Sequence, residues 1–208
     1  MIVWDDWLLT AARAAVHLPT GTAVVSDLHL GYADVRRRGG EAVPLRPVAA
    51  SLHDLRVLLH EKAVEHLVLA GDVFEAAASP DLCGELLRWI EGIGVRSVRV
   101  LEGNHDRGLS KAPEPLRPVR PPVLLGEWQV VHGDGDLPPG RVVQGHIHPA
   151  LRPRLDLPPV PCFLTRPGHL VLPAYCAEAS GVDVSRQERW AGYDRHAVVG
   201  GSVLSVSG

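Results

Sequence analysis

An α/β fold in which two β-sheets pack as a sandwich, with helices on the outside, is what this sequence predicts. Three observations lead there. In the first half, short runs rich in Val, Leu and Ala alternate with helical patterns. In the second half, short apolar runs follow one another with turns between them. Finally, five polar clusters stand after or beside such runs, where strand ends would deliver them: SDLHLG, AGDVFE, EGNHDRG, VHGD and QGHIHP.

WLLTAARAAVHL and TAVVSD read as a strand pair about the Pro-Thr-Gly turn at Pro19 to Gly21. LRPVAASLHDLRVLLHEKAV has helical spacing, with Leu52, Leu55, Leu58 and Leu59 on one side. The strand HLVLAGD comes next, then DLCGELLRWIEGIG as a helix with Asp81 near its start and glycines at its end. RSVRVLEGN completes a strand–helix–strand–helix–strand series. Beyond it, VLLGEWQVVHGD, RVVQGHIHPAL, PCFLTR, HLVLPAY and HAVVGGSVLSV read as short strands of a second sheet. APEPLRPVRPPV and RPRLDLPPVPC read as loops, because repeated Pro continues neither a helix nor a central strand. Residues 1–208 are expected to form one domain, without repeats or an interdomain linker.

Composition narrows the function. The formal net charge of −3 argues against a strongly basic footprint for nucleic acid over the whole surface. Lys62 and Lys111 are the two lysines, so almost every cation is an arginine. Arginine suits bidentate phosphate binding, although a GC-rich genome produces the same bias. No apolar run approaches the roughly 20 residues that span a bilayer. The first residues, MIVWDDWLLTAARAAV, carry acids where a signal peptide carries bases, and are read as mature sequence. Cys83, Cys162 and Cys176 are odd in number and far apart; they suggest small buried residues in a reducing, cytoplasmic setting.

The polar clusters carry the chemistry. They supply Asp27 and His29, then Asp72, then Asn104, His105 and Asp106, then His132, then His146 and His148. Hard carboxylates, an amide and several imidazoles suit Mn, Fe or Zn better than Ca or an all-thiolate site. Taken singly, each has a bland reading: Asp72 could end a strand as a turn residue, and His17, His53, His60, His66, His169 and His196 read as ordinary core or surface histidines. Taken together, the bland readings fail, because burying several carboxylates and imidazoles side by side is costly without a cation. In an extended segment, side chains two residues apart point the same way, which fits Asp27 with His29.

The ordered series D-x-H, GD, GNHD, a lone His in HGD, and GHxH resembles the calcineurin-like metallophosphoesterase superfamily. That resemblance implies a four-layer α/β/β/α sandwich and two divalent metal ions, manganese first, with iron or zinc as the other candidates. It assigns Asp27, His29 and His148 to one ion and Asn104, His132 and His146 to the other, with Asp72 bridging both. His105 would not be a ligand; it would act on the leaving group. Asp106 would either hold the His105 imidazole or cap the following turn.

More of the chain, including DLHLGYADVRRRGGEAVP, GHIHPAL, LPPVPCFL and HLVLPAYCAEASGVDV, is similar to small bacterial ICC-like phosphoesterases, among them DNA-ligase-associated DNA damage response endonucleases. This implies a phosphodiester substrate such as single-stranded DNA, and a DNA ligase or helicase as an associated protein. Where such proteins often carry Phe or a second His after the GD motif, this chain has Val73, Phe74 and Glu75, a departure expected to touch none of the assigned ligands. Two other classes stay open: a phosphohydrolase of a small molecule or lipid precursor, of the UDP-diacylglucosamine pyrophosphohydrolase type, and a non-catalytic scaffold. Arg36, Arg37 and Arg38 either border the cleft as a basic entrance or form a solvated turn ending at Gly39 and Gly40.

Overall fold

A computed structural model of the chain describes residues 1–152, 158–179 and 181–206. Strands β1 (Ile2–Trp4), β2 (Trp7–Leu9), β3 (Ala15–His17), β4 (Thr22–Val25), β5 (His66–Ala70) and β6 (Ser97–Leu101) form one sheet in that order. The first four are antiparallel neighbours, whereas β4, β5 and β6 run parallel. WLLTAARAAVHL is itself a hairpin, not one strand: Thr10 accepts the Arg13 amide and its own amide and hydroxyl reach the Ala14 carbonyl, which turns the chain between β2 and β3.

Helices α1 (Tyr32–Arg38), α2 (Val48–Ser51), α3 (His53–Glu61) and α4 (Pro80–Glu91) join the parallel strands. Alternation along the central strands divides the core. Ala23, Val25, Leu67 and Leu69 pack with Leu52, Leu55, Leu59, Leu86 and Trp89 of the helical layer, while Val24, Val68 and Ala70 face the other way. Ser79 caps α4 by accepting the Leu82 amide, with Pro80 in the first turn, where a missing N–H costs nothing.

The second sheet holds β7 (Val123–Leu125), β8 (Trp128–Val131), β9 (Arg141–Gln144), β10 (Pro149–Leu151), β11 (Val160–Arg166), β12 (His169–Val171), β13 (Val182–Asp183), β14 (Asp194–Val199) and β15 (Ser202–Val206). Its inner face, with Trp128, Val130, Val143, Phe163 and Leu170, closes on Trp7, Leu9, Val24 and Val68 of the first sheet. Trp128 lies edge-on to Trp7, ring centroids 5.6 Å apart, so two large fully buried rings seam the sheets. The outer face packs Leu164, Val171 and Tyr193 against Trp190 of a short 3-10 turn, Glu188–Trp190, which makes the fourth layer thin among the described residues. The sandwich with flanking helices thus stands as expected. The Pro-rich stretch at 152–162 falls partly on residues 153–157, outside the described residues.

The arginine run departs from expectation. Arg36, Arg37 and Arg38 are not in a loop: they form the last turn of α1, which ends at Gly39. Cations are favourable at a helix C-terminus, and no residue of α1 is buried, so the hydrophobic period that reveals a helix is missing.

Candidate metal centre

Parallel strands place their C-terminal ends at one rim, the usual position for a site in an open α/β sheet. Val25 is paired with Leu69, and Ala70 with Leu101, so the segments after β4, β5 and β6 leave the first sheet side by side. Val131 pairs with Gln144 in the second sheet, so the segments after β8 and β9 leave together as well. All five polar clusters are these segments.

Backbone hydrogen bonds zip them to one another. The amides of Asp27, His29 and Leu30 donate to the carbonyls of Gly71, Asp72 and Val73 at 3.1, 3.0 and 2.9 Å. Ser26 Oγ donates to the Ala70 carbonyl at 3.0 Å. The His146 amide donates to both carboxylate oxygens of Asp27, at 3.2 and 3.0 Å, which bonds the second sheet to the first across the rim. Gly71, at φ 85°, is needed because a Cβ there would sit 2.3 Å from His132 Nδ1. Gly103 is needed because a Cβ would sit 2.3 Å from the Asp72 amide and carboxylate.

Seven side chains named from the sequence converge here in two adjoining groups. In one, ligand atoms of Asp27, His29 and His148 lie within 4.8 Å of one another; in the other, those of Asp72, His132 and His146 do. Asn104 joins the second group, its Oδ1 3.3 Å from His132 Nε2. Asp72 Oδ2 lies 3.3 Å from His132 Nε2, and the charge of Asp72 acts more weakly on His29 in the neighbouring group. His105 lies edge-on to His29, ring centroids 5.1 Å apart.

The backbone is strained where these side chains meet. Asp27, His29, Asp72, His146 and His148 all sit at positive φ, between 45° and 64°. Each such residue costs on the order of 1–3 kcal/mol and persists only where the surroundings over-determine it. Asp27 and His29 therefore do not converge by extended alternation; like His146 and His148, they lie on a left-handed turn.

Lone pairs meet lone pairs in this cluster. His132 Nδ1 lies 2.9 Å from the Ala70 carbonyl and so carries the hydrogen; its Nε2 faces Asp72 Oδ2 and Asn104 Oδ1, each 3.3 Å away. An acceptor aimed at two oxygens calls for a proton or a cation between them. Without metal the proton wins. Burial pulls the His132 pKa down, but Asp72 and Asp27 outweigh it and raise it to about 9. Burial likewise pushes Asp72 up, and the hydrogen bonds from His132 and the His105 amide overcome it, leaving about 2. His29 Nε2 and His148 Nε2 also face each other at 3.3 Å, with Asp27 Oδ1 3.2 Å from the latter. The donor set fits a dinuclear metal site.

Two expectations about neighbours are corrected. Asp106 does not hold the His105 ring: its carboxylate accepts the amides of Phe74 and Gly103, at 2.9 and 3.0 Å, and so ties two motif loops together. Burial lifts Asp106 to about 6 despite those bonds. The His105 tautomer is set by Glu75, whose carbonyl lies 2.9 Å from His105 Nδ1. Glu75 also does not stand clear of the assigned ligands, because its carboxylate oxygen is 2.7 Å from His29 Nδ1. Only its place three residues after Asp72 hints at this in the sequence.

The chain matches no protein-family model and no curated protein. It does match a solved structure, the Pseudomonas putida nuclease MPE, with a TM-score of 0.78 at 24% identity, over 96% of this chain and 94% of that one. The fold is that of the calcineurin-like metallophosphoesterases. A looser likeness, to Chaetomium thermophilum Vps29, has a TM-score of 0.43 at 10% identity over 86% of this chain and 85% of that one; nothing rests on it. On this two-sheet sandwich, the converging motif loops occupy the rim between the sheets.

Beside the rim lies a cavity of about 660 Å³, bordered by His29, Tyr32, Arg13, Val48 and Tyr175. Gly31 to Asp34 contribute to its wall, whereas Arg36 to Arg38 do not, and Arg36 is paired with Glu41 at 2.9 Å.

Proposed function

We propose that this chain is a dinuclear metal-dependent phosphodiesterase acting on DNA, single-stranded DNA first. The observation that carries the reading is the convergence of Asp27, His29, His148 with Asp72, Asn104, His132, His146 at one rim. The fold shared with a nuclease supports the substrate class. Linkage to DNA repair, association with a DNA ligase or helicase, and a cytoplasmic location belong to the same proposal. Among the described residues, no helix is long and apolar enough to cross a membrane.

Asp27, His29 and His148 would hold one ion, and Asn104, His132 and His146 the other, with Asp72 shared. Two divalent ions, Mn²⁺ first and Fe or Zn otherwise, would supply a water nucleophile near neutral pH and charge for the phosphoryl oxygens. His105 does the remaining chemistry. With its Nδ1 hydrogen held on the Glu75 carbonyl, its Nε2 is free to carry a proton to the leaving oxygen. Asp106 keeps His105 and the Asp72 loop in register through the Phe74 and Gly103 amides.

The cavity beside His29 favours a second reading, because its volume suits a small phosphate ester better than a polymer. Assaying Mn-loaded protein against single-stranded DNA, cyclic dinucleotides and a bis-nitrophenyl phosphodiester separates the two. DNA cleavage that dies with Asp72→Asn supports the nuclease. Turnover of small esters alone supports the phosphohydrolase, and no turnover of any diester leaves a scaffold.

A further inference from the structure

His29 is buried, and its two ring nitrogens have different surroundings. Nε2 faces His148 Nε2 at 3.3 Å. Nδ1 faces away from that contact and has no aligned hydrogen bond, yet Glu75 Oε2 lies 2.7 Å from it. A buried ring nitrogen needs a partner, and among the described residues Glu75 is the group in reach. The Glu75 side chain is itself largely buried, at 18% exposure, and its amide is fixed by donating to the Leu30 carbonyl at 3.0 Å.

We propose that the Glu75 carboxylate is a positioning residue for His29, holding the imidazole by Nδ1–H so that the Nε2 lone pair faces Asp27 and His148. The proposal rests on the dinuclear reading of the site, but its test does not need turnover. A carboxylate behind a ligating imidazole fixes the tautomer and raises the basicity of the coordinating nitrogen. Direct ligation by Glu75 is the competing role, since ligand atoms of His29, Glu75 and His105 also lie within 4.8 Å of one another. Distance decides against it. Two ligands about 2.1 Å from one ion and at right angles stand about 3.0 Å apart, and farther at a tetrahedral angle. The 2.7 Å separation is within hydrogen-bond range, and a small rotation of the Glu75 carboxylate would bring it into line with Nδ1–H.

One residue then serves two histidines by different groups: its side chain orients His29, and its backbone carbonyl orients His105. Substitution removes only the first. Ring ¹⁵N shifts of His29 in metal-free protein should show hydrogen on Nδ1, and Glu75→Ala should mix the tautomers. Calorimetric titration with Mn²⁺ should show one of two sites weakened about 10–100-fold in Glu75→Ala, with the other unchanged. Glu75→Gln keeps an acceptor for Nδ1–H and should stay within about threefold. A wild-type His29 with its hydrogen on Nε2, or an unmoved tautomer in Glu75→Ala, would overturn the assignment. So would a Gln variant that loses metal as deeply as Ala, which would make the carboxylate a ligand. Glu75→Leu, closer in volume, takes the place of Ala should the latter not fold. If two ions bind but no phosphodiester is cleaved, the proposed reaction falls and this assignment stands.

Discussion

Asp72 accepts the His105 amide at 2.8 Å with one oxygen and faces His132 Nε2 at 3.3 Å with the other. Asp72→Asn keeps the shape and removes the charge that the proposed dinuclear site would share between its two ions. Mn²⁺ affinity at both sites should fall by more than the roughly 10–100-fold that removing an outer partner costs, read by calorimetry. His105→Ala should behave differently. It should leave both ions bound and lower turnover of an unactivated diester by about 10²–10⁴, with a much smaller loss for a nitrophenyl ester, which needs little protonation. Equal losses for the two esters would assign His105 to substrate binding instead. A third expectation concerns pH. The His132 proton, held to about 9, must leave before the nitrogen can take a metal. Mn²⁺ affinity should therefore rise up to tenfold per pH unit between about 6.5 and 9, with one proton released per ion at that site. In metal-free protein the sign reverses. A raised folded pKa means that the stabilisation is complete below 6.5 and lost as pH rises through 9. At this scale the side chains that converge at the rim are legible from residue type and order. Glu75 and the true partners of Asp106 are not, because a backbone carbonyl contact and a carboxylate reaching across loops leave no trace in a motif.

The elements that carry the site are short loops held by the ends of parallel strands. The central strands β4, β5, β8 and β9 are legible because each is a run of Val, Leu or Ala stopped by a polar cluster. The β2–β3 hairpin reads as one strand because Ala11 to Ala14 offers no Gly or Pro to mark a turn; Arg13 makes it at φ 57°. Helix α1 is hidden in the sequence for want of a buried face. Its three arginines make a basic helix end, and the cavity wall stops short of them at Asp34. Replacing all three with Gln should weaken single-stranded DNA binding and flatten its salt slope, by about one for each phosphate no longer neutralised. Unchanged affinity at low salt would mean that the helix end merely caps α1. Gly71→Ala is the sharper test of the loops. The new Cβ collides with His132 at a φ that favours glycine, so the urea midpoint should fall by the equivalent of more than about 2 kcal/mol.

Across the whole molecule, the two sheets meet over Trp7, Trp128, Phe163 and the central strands, while the rim gathers carboxylates and imidazoles on strained turns. A packed sandwich this size can sustain that strain, and a bound cation would offset it. The two-sheet plan is legible because helical period ends where the second sheet begins; the nine-strand order is not, since β14 pairs with β11, about thirty residues earlier, through a register that no local pattern encodes. If the rim is a metal site, occupancy must stabilise the entire fold. Mn²⁺ at about one hundred times its dissociation constant should add about 2.7 kcal/mol per site, a rise in Tm of roughly 5–10 °C that a chelator reverses. Anomalous diffraction from crystals grown with Mn²⁺ tests the central claim most directly. Two peaks about 3.5–4 Å apart should appear, one against Asp27, His29 and His148, the other against Asn104, His132 and His146, with Asp72 touching both. A single ion, or two ions that leave these side chains uncoordinated, would contradict it.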